Sequence, residues 1–337
     1  MTTARNKIVD VNRTRWYHCI SRCVRAAFLI GQGECDRKQW VEDRLKMLCE
    51  AFAISVGGFA ILDNHLHVLC RLDPDVAKDW SAEDVVRRWC LVYSPRTLDR
   101  DNPKLFEQWV KTQAKDAAFV QKLRRRLCDL GWFMKSLKEP LARMANRADG
   151  CRGTFWEARY RSIAILDEEA LLATCAYIDL NPLAAGIAAT PETSKHTSVR
   201  QRVNHVRSQG ELDRLKSAQQ GSVAASRAAG NIEQKHWLVP IEDRREHTNA
   251  KTKSLREGML ETFSLGSYLL LLDYTGRLCR NGKARMSSAM KGVFDRLDSS
   301  CDRLAGMVVT MLERGGIRGH FLASNPETPQ SLPRPGT

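Results

Sequence analysis

The chain has 337 residues, with 53 Lys+Arg against 39 Asp+Glu and a formal charge of +14. Its 43% hydrophobic and 27% charged shares exclude wholesale disorder, and no apolar run approaches the ~18 residues that span a bilayer. At roughly 100–200 residues per domain the length predicts two domains, or one with long additions. The opening residues lack the apolar stretch of a secretory signal, so a cytoplasmic location and no membrane partner are expected. Eleven cysteines, irregularly spaced and without a Cys-x-x-Cys, fit a reducing compartment. Cys19 and Cys23 have no second Cys/His pair at zinc spacing.

In chain order, the aromatic and β-compatible run from Trp16 to Arg25 predicts a strand. Asp36 to Phe52 predicts an amphipathic helix, its apolar positions Trp40, Val41, Leu45, Leu48 and Phe52 recurring at three-to-four spacing. Ser55 to Leu72 reads as one strand bent at Gly57-Gly58. Residues 76–150 look mostly helical, with breaks at Ser94-Pro95 and Asp101-Asn102-Pro103. Gly153 to Ile165 reads as a further β segment. Asp167 is placed to cap a helix that runs to about Leu180 and stops at Asn181-Pro182. From Pro191 to Gly230 no clear apolar face is visible, 252–318 is helical in pattern, and the Pro-rich end reads as a disordered tail. The order strand, helix, strand, then strand, helix suggests an α+β domain of ferredoxin-like plan, with an antiparallel sheet, packed helices and a helical insertion.

The positive charge is uneven. Residues 121–160 hold ten Lys/Arg against four Asp/Glu, and Arg124, Arg125 and Arg126 cluster tightly there. Solubility is one reading of such a surplus. A polyanion is the other, because clustered cations release counterions from phosphates and neighbouring aromatics can stack on exposed bases. Arg159 and Arg161, two apart, would share one face of a strand and meet a DNA backbone together. After residue 190 the histidines are scattered without metal spacing, and Lys251, Lys253 and Arg256 suit contact with DNA.

Two features could carry chemistry. In His65-Leu66-His67 both imidazoles project from one face of a strand, where they could chelate a divalent ion or be ordinary half-buried histidines. On the helix after Asp167, Tyr177 and Asn181 lie four apart and share a face opposite Leu171, Leu172, Cys175 and Ile178. Tyrosine offers a nucleophilic oxygen and the Asn carbonyl a ligand for a hard cation.

Together with Trp16-Tyr17-His18-Cys19-Ile20-Ser21-Arg22, Phe155-Trp156-Glu157-Ala158-Arg159-Tyr160 and the run Tyr177 to Gly186, these residues resemble the single-tyrosine HUH transposases. Among those, the chain looks most like the REP-associated tyrosine transposases. The resemblance spans about 12–190, interrupted by the insertion at about 76–150. It implies a catalytic domain there, followed by a basic, mainly helical extension over 191–325 and a tail over 326–337. It also implies that Tyr177 is the nucleophile, that His65, His67 and Asn181 hold Mg²⁺ or Mn²⁺, and that the substrate is single-stranded or hairpin DNA, cleaved and rejoined through a 5′-phosphotyrosine. Monomer and homodimer both remain open. Members commonly carry Met-Pro-Asn before the first histidine, where this chain has Leu62-Asp63-Asn64. A DNA-binding regulator without cleavage, a replication initiator with the same chemistry and a metal-dependent hydrolase using Asp63 are the rival readings.

Overall fold

Alternation along one strand sorts the molecule into two layers. In a computed structural model of the chain, strand β1 (Trp16–Arg22) turns Tyr17 and Cys19 into one apolar core, while Trp16 and Ile20 pack against another on the opposite face. The structure describes residues 8–95 except 32, 34 and 35, then 102–188, 190–211, 215, 232–243, 256–278 except 262, 308 and 321–322. Lys251, Lys253 and the 326–337 tail lie outside the described residues.

Helix α1 (Arg37–Ala51) begins where the Asp36 side chain accepts from the Gln39 N–H at 2.9 Å, and it ends at Phe52. Strands β2 (Ile54–Ile61) and β3 (His65–Leu72) then form an antiparallel hairpin. This corrects the single bent strand expected over 55–72: the chain reverses at Leu62-Asp63-Asn64, and the glycines mark a register shift between Val56 and Gly58. A Cβ at Gly57 would lie 2.7 Å from both the Met259 sulfur and the Trp16 ring, so close approach selects glycine there.

Helices α2 (Ala82–Val92), α3 (Pro103–Gln113), α4 (Ala117–Leu127) and α5 (Leu130–Ala148) follow. They bury Val85, Val110, Leu123 and Phe133 with α1 on the Tyr17 side of the sheet. Strand β4 (Arg161–Ile165) pairs with β1, giving the order β2-β3-β1-β4, all antiparallel. A two-residue strand β5 (Phe321–Leu322) adds parallel to β4. The protein is α+β, and with α1 and α5 on one face of that strand order it follows the ferredoxin-like plan. The β segment expected from Gly153 is shorter than its composition suggests. Residues 153–160 form bends apart from an isolated bridge between Cys23 and Trp156.

On the other face lies α6 (Glu168–Ala184), capped by the Asp167 side chain on the Ala170 N–H at 2.8 Å. Two expectations for this helix need correction. It runs through Pro182 rather than ending before it, at the cost of the hydrogen bond that proline cannot donate. Leu180 and Leu183 hold that last turn by packing beside Gly276 of α8 (Leu265–Leu278). It is also buried around its circumference, without the polar face a two-sided helix would show, because α7 (Ser198–Ser208) and α8 cover its outer side. In α7, Val199, Val203 and Val206 supply an apolar stripe that the polar composition of 191–230 hid. No helix among the described residues is long and apolar enough to cross a membrane.

Candidate active site

The pairing of β1 with β3 sets Ile20 opposite His67 and Arg22 opposite His65. Directly paired residues share a face, so His18, Arg22, His65 and His67 all project toward α6. The His65 and His67 rings lie 4.9 Å apart, nearly perpendicular. Tyr177 stands edge-on to His67 at 5.5 Å and to His18 at 5.9 Å between ring centroids. One turn along α6, Asn181 Nδ2 is 3.4 Å from His67 Nε2, and the same amide is close enough to shift the titration of both His65 and Tyr177. The structure thus brings together Tyr177, His65, His67 and Asn181.

Neighbouring polar groups orient both imidazoles. His65 Nδ1 is 2.6 Å from Asn64 Oδ1, an acceptor, so Nδ1 carries the proton and Nε2 keeps its lone pair. Asn64 is itself tethered through Nδ2 to the Ala26 carbonyl at 3.1 Å. His67 Nδ1 is 3.0 Å from His18 Nε2, which leaves His67 Nε2 facing the Asn181 amide. His67 Nε2 thus faces the Asn181 amide, with the His65 ring beside it.

Burial sets the charge of the site. It holds His18 down at about 3, helped by the Arg161 charge, and His65 at about 4, helped by Arg22. His67 lies well below the ordinary histidine range through burial and the neighbouring His18, His65 and Arg22. All three rings are neutral at pH 7, the form that donates to a metal. Burial raises the Tyr177 phenol above its usual range; the Asn181 hydrogen bond and the charges of Arg22 and Arg161 oppose that shift.

Among the described residues no three His, Cys, Asp or Glu side chains are grouped as a metal cage. The side chains that could hold a metal here are His65, His67 and Asn181; in this structure the Asn181 Nδ2 faces His67, so its Oδ1 would have to turn inward to complete a two-nitrogen, one-carbonyl set suited to Mn²⁺ or Mg²⁺. Asp63, the carboxylate that a hydrolase reading would need, instead pairs with Lys38 at 2.6 Å.

The remaining sequence candidates separate. Arg161 begins β4 opposite Ile20, on the histidine face, whereas Arg159 sits in the preceding bend, so the two do not share a strand face. Arg124, Arg125 and Arg126 lie on α4, in the layer on the far side of the sheet. Arg124 is turned inward onto the Ala77 and Trp80 carbonyls, Arg126 lies over Trp132, and Arg125 is exposed. The cluster is therefore split rather than presented as one basic face. Arg256 also turns inward, onto the carbonyls of His236 and Trp237. Sequence reasoning missed His18 and Arg22 as site residues; the alternation 18, 20, 22 along β1 held the signal.

No family model matches the chain, and no curated protein matches it. Among solved structures, it is similar to a REP-associated tyrosine transposase bound to a REP hairpin, at 12% identity and a TM-score of 0.36. The match covers 60% of this chain and 86% of that one. A likeness at this level is a distant one of fold and carries neither family nor activity.

Proposed function

We propose that the protein is a metal-dependent DNA strand transferase that cleaves single-stranded DNA with Tyr177 and rejoins it. The observation that supports this is the meeting of Tyr177 and Asn181, from one helix, with the adjacent imidazoles of His65 and His67. His65, His67 and Asn181, its amide turned to present Oδ1, would hold a divalent ion. When bound, that ion supplies positive charge beside a phosphate and beside the phenol.

The residues of the chain do the rest. Arg22 and Arg161 flank the site from β1 and β4 and draw the phosphate backbone toward it. The Tyr177 oxygen attacks phosphorus as its proton leaves to solvent. The phosphorus–oxygen bond to the 3′ oxygen breaks, leaving a 5′-phosphotyrosine and a free 3′-hydroxyl. Because the ester bond energy is retained, a second 3′-hydroxyl can reverse the step and join new ends without ATP.

A second reading, a DNA-binding protein that does not cleave, is favoured by one observation: Tyr177 is only 2% exposed. A 3′-labelled hairpin oligonucleotide with Mn²⁺ separates the two. Cleavage gives a labelled, denaturation-resistant protein adduct that Tyr177→Phe abolishes, while a 5′-labelled strand yields a shorter free fragment. Binding without adduct supports the second reading. Nicking that survives in Tyr177→Phe overturns the first.

A further inference from the structure

On the layer away from Tyr177, tryptophans on the rim of the helical core are covered by cations. Trp89 and Tyr93 of α2 stack at 4.5 Å, and Trp132 of α5 meets Trp89 edge-on at 5.5 Å. The Arg126 guanidinium lies 4.2 Å over Trp132 and 5.5 Å over Trp89, and Lys135 sits 4.7 Å over Trp132. These aromatics are half-buried. The stack is held in place from below: the Tyr93 hydroxyl is 2.8 Å from Ser136 Oγ, and Ser136 Oγ donates to the Trp132 carbonyl at 2.7 Å.

A guanidinium that stacks through its face keeps its N–H groups in plane and directed sideways, where they suit phosphate oxygens. Arg126 has no carboxylate partner among the described residues, and the adjacent Arg125 is exposed; Lys135 is paired only loosely, 3.9 Å from Glu139. Aromatic rings interleaved with cations, of which Arg126 has no carboxylate partner among the described residues, complement a strand that has both unpaired bases and phosphates.

We propose that Trp89, Tyr93, Arg126, Trp132 and Lys135 form a docking platform for single-stranded DNA. It is separate from the Tyr177 site and holds a stretch of strand away from the phosphate that is cut. The proposal rests on the DNA-processing reading for its choice of nucleic acid, and binding measured without metal keeps the two independent.

The test uses the full chain in EDTA, titrated into fluorescent (dT)15 and into an abasic 15-mer with the same phosphates. Trp132→Ala weakens (dT)15 binding about 5- to 10-fold, as loss of one stacked base does, and leaves the abasic strand unchanged. Trp132→Phe, which keeps a ring, restores (dT)15 binding. Arg126→Gln weakens both strands and lowers the salt slope by about 0.7. Equal loss for both strands in Trp132→Ala, or loss for neither, overturns the platform. So does Trp132 dependence seen with (rU)15 and absent with (dT)15. Tyr177→Phe keeps the base-dependent binding; if adduct formation fails while that dependence persists, the Tyr177 reading falls alone.

Discussion

His18 Nε2 lies 3.0 Å from His67 Nδ1, and this contact joins the central strand β1 to the site through a residue that is not a ligand. It orients the His67 ring, and with Nδ1 donating to His18 the His67 Nε2 lone pair is kept for the Asn181 side. His18→Gln is therefore expected to lower Mn²⁺ affinity about 10- to 100-fold without removing any donor. Isothermal titration with MnCl2 measures it, and affinity equal to wild type would remove His18 from the site.

Acid should unfold the protein in a defined window. His18, His67 and His236 are buried, and burial depresses all three, His18 to about 3 and His236 to about 2. The unfolded chain binds their protons near pH 6.5 while the folded protein does not, so stability is full above 6.5 and lost as pH falls below it. Each histidine contributes a slope of roughly 1.4 kcal/mol per pH unit between about pH 6 and 4. Asp179 and Glu168, both raised by burial, act in the opposite direction, but they are two groups against these three and the likewise depressed His65 and His205. Urea denaturation at pH 7.5, 6 and 5 should show the fall; a flat profile contradicts it.

Asp179 anchors the helix that carries Tyr177. Its carboxylate accepts from Ser198 Oγ at 2.7 Å, the Val199 N–H at 3.0 Å and Tyr268 Oη at 2.7 Å, tying α6 to α7 and α8. Asp179→Ala strands the buried Tyr268 hydroxyl and the Val199 N–H, while Ser198 Oγ keeps the Phe59 backbone, and should cost roughly 2–5 kcal/mol. A change below about 0.5 kcal/mol in chemical denaturation would show that the network contributes nothing.

The arginines near the site should act unequally. Arg22 and Arg161 bear on the electrostatics of Tyr177, whereas Arg159 sits in the bend before β4. Arg22→Ala and Arg161→Ala are each expected to lower the salt slope of single-strand binding by about 0.7 and to slow adduct formation. Arg159→Ala should leave adduct formation unchanged. Equal effects from all three would mean that strand face does not decide contact.

The sequence carried the strand with its paired histidines, the helix from Asp36 to Phe52, the Asp167 cap and the helix of Tyr177, because each rests on local spacing or local capping. It did not carry the reversal at Leu62-Asp63-Asn64, where Gly57-Gly58 gave a stronger bend signal that belongs instead to a close approach by Trp16 and Met259. The helix through Pro182 was equally hidden, since the contacts that hold it come from α8, almost a hundred residues away. His18 escaped for the same reason: its partner is set by strand register, and register is a long-range property.

The position of β1 between β3 and β4 has a consequence for how the protein is made. β1 leaves the ribosome first and meets β3 soon after, but β4 begins at Arg161, well beyond Leu72. At ordinary synthesis rates that interval is roughly 4 to 18 s. Throughout it the inner edge of β1 is unpaired and the histidine face lacks the helix that covers it. The nascent chain therefore carries its two imidazoles long before Tyr177, and the cluster stays incomplete until α6 has emerged and docked.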